Sequence, residues 1–145
     1  MKLGWIAAGL LITLTACGGS DADSESALED AAQEQADRYS SGDYAGAWDM
    51  WTDAAKEVMS QDDYLTYSEA CAGGGLPLNV DMARIEDDGT GTVRVGLGDF
   101  NFSYKMEYED ESWSWVPNDD SLAMYEQGAD GAIAAAKEAG SCIED

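Results

Sequence analysis

The chain contains no histidine, only two prolines and only seven lysines and arginines together. Without histidine, the commonest general base near neutral pH and the commonest metal ligand are both missing, which weighs against an enzyme. Set against 30 aspartates and glutamates, so few cations leave a formal charge of −23. A field of that sign repels phosphate backbones and anionic headgroups, so nucleic acid is excluded as a partner and charge alone cannot hold the protein at a membrane. No apolar run reaches the roughly 20 residues that cross a bilayer. What is present argues for a folded body: 45% of residues are hydrophobic, with five Trp and seven Tyr, too many for a disordered chain. A length of 145 residues gives room for one domain.

The amino terminus has the layout of an export signal. Met1-Lys2 is a minimal positive start, and Leu3 to Leu14 is an apolar run broken only by Gly4, Gly9 and Thr13, of the length of a signal core. Leu14-Thr15-Ala16-Cys17 closes the run and resembles the lipobox of bacterial lipoprotein precursors, whose cysteine is diacylated before the signal is cut in front of it. The resemblance implies that residues 1–16 are removed, that Cys17 becomes the lipid-bearing first residue, and that the protein works outside the cytoplasm, anchored to the cell membrane. Read without it, the same residues also allow an ordinary cleaved signal with a chance cysteine at the junction. Residues 17–25, rich in Gly, Ser and Asp, read as a flexible acidic tether, and Gly18 to Ser24 reach at most about 20–25 Å. Residues 26–145 are then one domain, and without Lys2 the remaining chain carries 30 acidic residues against 6 basic ones, or −24.

Within that domain the hydrophobic period changes once. Ser26-Ala27-Leu28-Glu29 fits a capping box opening a helix with Leu28, Ala31/Ala32, Gln35/Ala36 and Tyr39 on one face, ended by Ser40-Ser41-Gly42. Asp43 is placed to cap a second helix bearing Tyr44, Ala47/Trp48 and Trp51, with a short turn after Thr52, and Ser60-Gln61-Asp62-Asp63 opens a third that Gly73-Gly74-Gly75 breaks. From Leu78 the period is two: Leu78, Val80 and Met82 alternate, Asp88-Gly89 turns, and Val93, Val95 and Leu97 continue. Phe100, Phe102, Tyr104, Met106 and Tyr108 then face one way and Asp99, Asn101, Ser103, Lys105 and Glu107 the other, the pattern of a half-buried antiparallel strand. An acidic turn at Glu109-Asp110-Glu111 leads to a partner strand with Trp113 and Trp115, which Pro117 stops. A weakly amphipathic helical stretch, broken at Gly128, runs from about Ser121 to Ala139. The order predicts an α+β fold: N-terminal helices packed on the aromatic face of an antiparallel four-stranded sheet, with a short C-terminal helical segment.

Tyr39 to Trp48, the polar helix start near Ser60, and a strand ending in an acidic turn followed by Trp-x-Trp-x-Pro are similar to secreted NTF2-like, cone-shaped domains of bacterial lipoproteins. That resemblance implies a possible ligand cavity between sheet and helices, lined by Tyr44, Trp48, Trp51, Phe102, Tyr104, Trp113 and Trp115, although aromatics at core-facing spacing are more often simply core. NTF2-like domains range from enzymes to pure binding modules, so it assigns no activity.

With Cys17 taken by lipid, Cys71 and Cys142 are the remaining thiols in an oxidising compartment and are expected to form a disulfide, a redox-active pair lacking the close C-x-x-C spacing. Asp99 or Glu107 would serve as an acid/base only if buried beside a cavity, and both alternate onto the other strand face. Glu86-Asp87-Asp88, the cluster from Glu107 to Glu111, and Asp119-Asp120 lack the oxygen-ligand spacing of a Ca²⁺ loop and read as solvated surface. Asn101-Phe102-Ser103 is a glycosylation sequon by chance, inside a strand. No catalytic residue, metal or cofactor is therefore expected. Two functional classes remain: a membrane-anchored binding module whose partner is an envelope protein, an incoming macromolecule or a small apolar ligand, and a small NTF2-like enzyme of isomerase or lyase type with an aromatic pocket. Lipoproteins of this kind also occur in phage and prophage genomes, where some exclude other phages, a role compatible with the first class.

Overall fold

A computed structural model describes residues 21–71 and 75–142; the residues read as signal and lipobox, Cys17 included, lie outside them. Helix α1 spans Glu25–Ser41 and is capped by Ser24, whose hydroxyl accepts from the Ala27 N–H, two residues before the capping box expected at Ser26. The ordered body thus starts inside the segment read as tether. Gly42, at φ 81°, ends α1 with the left-handed turn that glycine adopts without a Cβ penalty. Asp43 caps α2 (Tyr44–Asp49) and Thr52 caps α3 (Asp53–Val58). Before α4 (Gln61–Cys71), Ser60 and Asp63 exchange side-chain and backbone hydrogen bonds.

Four strands follow, β1 (Asn79–Ile85), β2 (Gly91–Leu97), β3 (Phe100–Glu109) and β4 (Ser112–Val116), in an antiparallel meander. Two short helices, α5 (Asp119–Tyr125) and α6 (Gly128–Ala139), complete an α+β fold. One strand departs from the expected phase. A bulge at Asp81 shifts the register so that Val80 lies opposite Val95 but Met82 opposite Arg94. Met82 is thereby turned to the outer face, and Ala83 and Ile85 take the core face instead.

The helices divide between two packing surfaces rather than all lying on the sheet. Helix α1 packs on the inner face, where Leu28 and Ala32 meet Val93, Val95, Met106 and Trp113. Its approach is close: a Cβ at Gly91 would lie 2.6 Å from Leu28 Cδ1. Helices α2 to α6 form a second core around Trp51, Ala55, Met59, Tyr64, Tyr125 and Ala132. The seam between the cores is Trp115, which packs against both, and the Met50–Thr52 segment binds the outer edge of β4: Trp115 N–H donates to Met50 O at 2.7 Å and Thr52 N–H to Trp115 O at 3.0 Å. Cys71 and Cys142 are disulfide-bonded, tying the end of α4 to the segment after α6.

Candidate functional site

The seven aromatics of the expected cavity do not line one space. Trp51 is buried among rings, stacked on Tyr125 at 5.3 Å and edge-on to Tyr64 at 4.6 Å, with Trp115 at 5.5 Å. Trp48 and Tyr44 flank this cluster, and the Trp48 indole donates to Met59 O at 2.9 Å. Trp113 belongs to the α1 core, Tyr104 packs edge-on to Trp115 at 5.7 Å, and Phe102 stands in solvent. The space enclosed by Ala32, Gln35, Val93, Val95, Tyr104, Met106 and Trp115 is about 10 Å³, at the lower limit for a single water. Sequence reasoning missed Tyr64 and Tyr125 as partners of Trp51. The signal for Tyr64 was its place on the stripe of α4, whereas α5 is too short to show a period.

The electrostatics of that core do not favour proton transfer near neutral pH. Burial pushes the Tyr39 phenol up to about 12 and drives Tyr64 and Tyr125 upward as well, so all three stay neutral. One of the expected acidic clusters, Glu86-Asp87-Asp88, has local structural work instead. Asp88 accepts from the Thr90 N–H at 3.0 Å and from its hydroxyl, closing the β1–β2 turn, and these bonds hold its carboxyl below the usual range. Glu86 is lowered chiefly by its bond to Arg84. Glu107 is exposed, as the strand alternation requires, and Asp99 is exposed in the β2–β3 turn rather than on the strand. Among the described residues no three acidic or cysteine side chains gather as a metal site, and no helix is long and apolar enough to cross a membrane.

The apolar surface that remains unaccounted for is at the β2–β3 tip. Phe100 is 71% exposed and Phe102 45%, on the inner face but to the side of α1, whose Gln33 binds Leu78 and Val80 at the β1 side, and Leu76, at the same end of the sheet, is 53% exposed. Beside them is an open groove of about 460 Å³ lined by Ser103, Tyr104, Lys105 and Glu107 of β3, Thr92 of β2, and Val116 to Asp119. On the outer face of the same strands Arg94 and Lys105 are exposed and form no ion pair among the described residues, whereas Arg38 is bound to Glu34 and Arg84 to Glu86. No protein-family model, curated protein or solved structure matches the chain, so these residues carry the functional argument by themselves.

Proposed function

We propose that the protein is a lipid-anchored binding module of the cell envelope, tethered through Cys17 and presenting the β2–β3 tip to a partner. The observation that carries this reading is the separation of tether and tip. The chain enters the fold where the Glu25 carboxylate accepts from the Ile85 N–H and Leu28 meets Gly91 and Trp113. That is the end of the sheet holding the β1–β2 and β3–β4 turns. Phe100 and Phe102 are at the other end, six residues along β2 from Gly91, or roughly 20 Å away. A body held at the membrane by its first residues therefore turns its two most exposed aromatics, Phe100 and Phe102, outward, while Tyr108, 38% exposed, is at the tether end. Filled cores support the same reading: the aromatic mass that would line a cavity is consumed in packing, while a small patch of large apolar side chains is left in solvent.

The test is a photoreactive amino acid placed at Phe100 in cells, with Asp87 in the opposite β1–β2 turn as the reference position. A discrete protein adduct from the Phe100 site and none from Asp87 is expected. Equal adducts at both sites, or none at Phe100, would contradict the outward tip as the binding surface.

A further inference from the structure

The lengths of β3 and β4 do not match, and the mismatch leaves a strand-sized gap in the sheet. β3 has 10 residues but β4 pairs only with Lys105 to Glu109, because β4 ends at Val116 opposite Lys105 and Pro117 has no N–H with which to continue the ladder. Beside Phe100–Tyr104 no element of the described residues takes its place. The two turns that bound β3 fix which groups face this gap. Gly98-Asp99 and Asp110-Glu111 are both two-residue turns, so their flanking pairs, Leu97 with Phe100 and Glu109 with Ser112, are the hydrogen-bonded kind. Alternation from either end agrees: Phe100, Phe102 and Tyr104 direct their backbone groups to β2, whereas Asn101 and Ser103 direct theirs into the gap. The groove overlaps only the inner end of this gap, at Ser103 and Tyr104, and continues along Thr92, Lys105 and Glu107, with Val116 to Asp119 closing it.

We infer that this edge of β3 is a peptide-binding site, which receives an extended segment of another protein as an added strand in line with β4, with apolar residues alternating with carboxylates. The backbone of Asn101 and Ser103 supplies the hydrogen bonds. The side chains of the added strand alternate between two unlike faces. Positions opposite Phe100, Phe102 and Tyr104 fall on the inner face against exposed aromatic surface and are apolar. Positions opposite Asn101 and Ser103 fall on the outer face, where Lys105 is the diagonal neighbour and Arg94 stands across from Ser103, and both cations lack an ion-pair partner among the described residues. Carboxylates complete that row. A second copy of the chain is the poorer occupant, since each copy brings a charge of −23 and offers neutral Asn101 and Ser103 to the two cations. The overall field also opposes an acidic peptide at long range, but at physiological salt it is screened beyond about 8 Å; within that range Asp81, Glu107 and Asp119 oppose the peptide while Arg94 and Lys105 attract it.

The inference rests on the reading of the protein as a binding module, and not on its lipid anchor. Its test uses the purified full chain and a blocked seven-residue peptide of alternating valine and glutamate, followed by amide resonances and hydrogen exchange. Shifts and slowed exchange at Asn101 and Ser103 are expected, while the same peptide N-methylated at alternate residues leaves them unchanged. Ser103→Pro, which removes a donor from the open edge and no bond of the sheet, weakens binding about tenfold. Lys105→Glu, whose side chain is exposed, weakens it with the fold intact. Unperturbed Asn101 and Ser103 amides at millimolar peptide would overturn strand addition. Equal binding of a valine–lysine peptide would overturn the acidic partner. Protection of both amides without peptide, lost on dilution, would show that a second copy fills the gap and overturn the assignment to a foreign segment. If the Phe100 cross-link still forms while the peptide leaves this edge untouched, the binding-module reading stands and strand addition alone fails.

Discussion

Replacing Gly91 by alanine probes how closely α1 is seated on the sheet. The new Cβ would lie 2.6 and 2.8 Å from the two methyl carbons of Leu28 and 3.1 Å from the Trp113 ring. Leu28 is 0% exposed, and Val93, Met106 and Trp113 surround it in the same core, so its methyls have no free volume into which to swing. Overpacking of this kind costs about 1–3 kcal/mol. Against it stands the lower chain entropy of alanine in a strand, about 0.5–1 kcal/mol in its favour. The net expectation is a loss of about 1–2 kcal/mol, or roughly 4–8 °C in melting temperature for a domain of this size. Urea unfolding of the oxidised protein, followed by tryptophan fluorescence, measures it directly. Leu28→Ala by itself removes a fully buried side chain and costs about 2–5 kcal/mol, but in the double variant the alanine at position 91 enters the space vacated. The two changes should therefore couple by about 1 kcal/mol or more, the double variant being more stable than the sum of the singles. A neutral Gly91→Ala, or additivity of the two substitutions, would refute the close seating of α1.

Other consequences follow from the same packing and charges. The phenols of Tyr39, Tyr64 and Tyr125 ionise less readily when folded, so their contribution is complete below pH 10, the unfolded value, and is lost as pH rises through their folded values, about 12 for Tyr39. Tyrosinate absorbance and loss of tryptophan fluorescence should thus rise together above pH 10, and ionisation of all three in a still-folded protein would contradict their burial. Reducing the Cys71–Cys142 bond, which closes a loop between residues 71 positions apart, should lower stability by about 4 kcal/mol in urea titrations with and without reductant. At the β3–β4 turn Asp110 and Glu111 adopt φ of 47° and 63°, so Glu111→Gly should relieve left-handed strain and raise stability by about 0.5–1 kcal/mol in a thermal melt, with an unchanged or lower melting temperature counting against that turn.

How far the fold could be read in advance depended on whether the signal was local. The disulfide was expected from the two cysteines left once Cys17 was read as a lipid anchor outside the cytoplasm, and β3 and β4 were visible in uninterrupted alternation from Phe100 to Tyr108 and from Trp113 to Trp115. The bulge at Asp81 was hidden, because Leu78, Val80 and Met82 continue with period two into the wrong phase, and only pairing with β2 decides that Ala83 and Ile85 face inward. The role of Tyr125 was hidden for a similar reason: α5 has only seven residues and α6 is rich in alanine, so what they cover becomes clear only when Trp51 is found stacked on Tyr125. The tip was half legible. Phe100 and Phe102 announced an apolar face, but their exposure follows from β3 outrunning β4 and from α1 lying over the β1 side, relations between elements that no single segment encodes.

The central claim, that an outward-facing module hangs from a lipid on Cys17, is tested most directly by the intact mass of the protein extracted from membranes of the cells that make it. The account predicts a chain of 129 residues beginning at Cys17, increased by the mass of its acyl groups and decreased by two hydrogens for the one disulfide. A mass beginning at Met1, or an unacylated chain found in the soluble fraction, would contradict it.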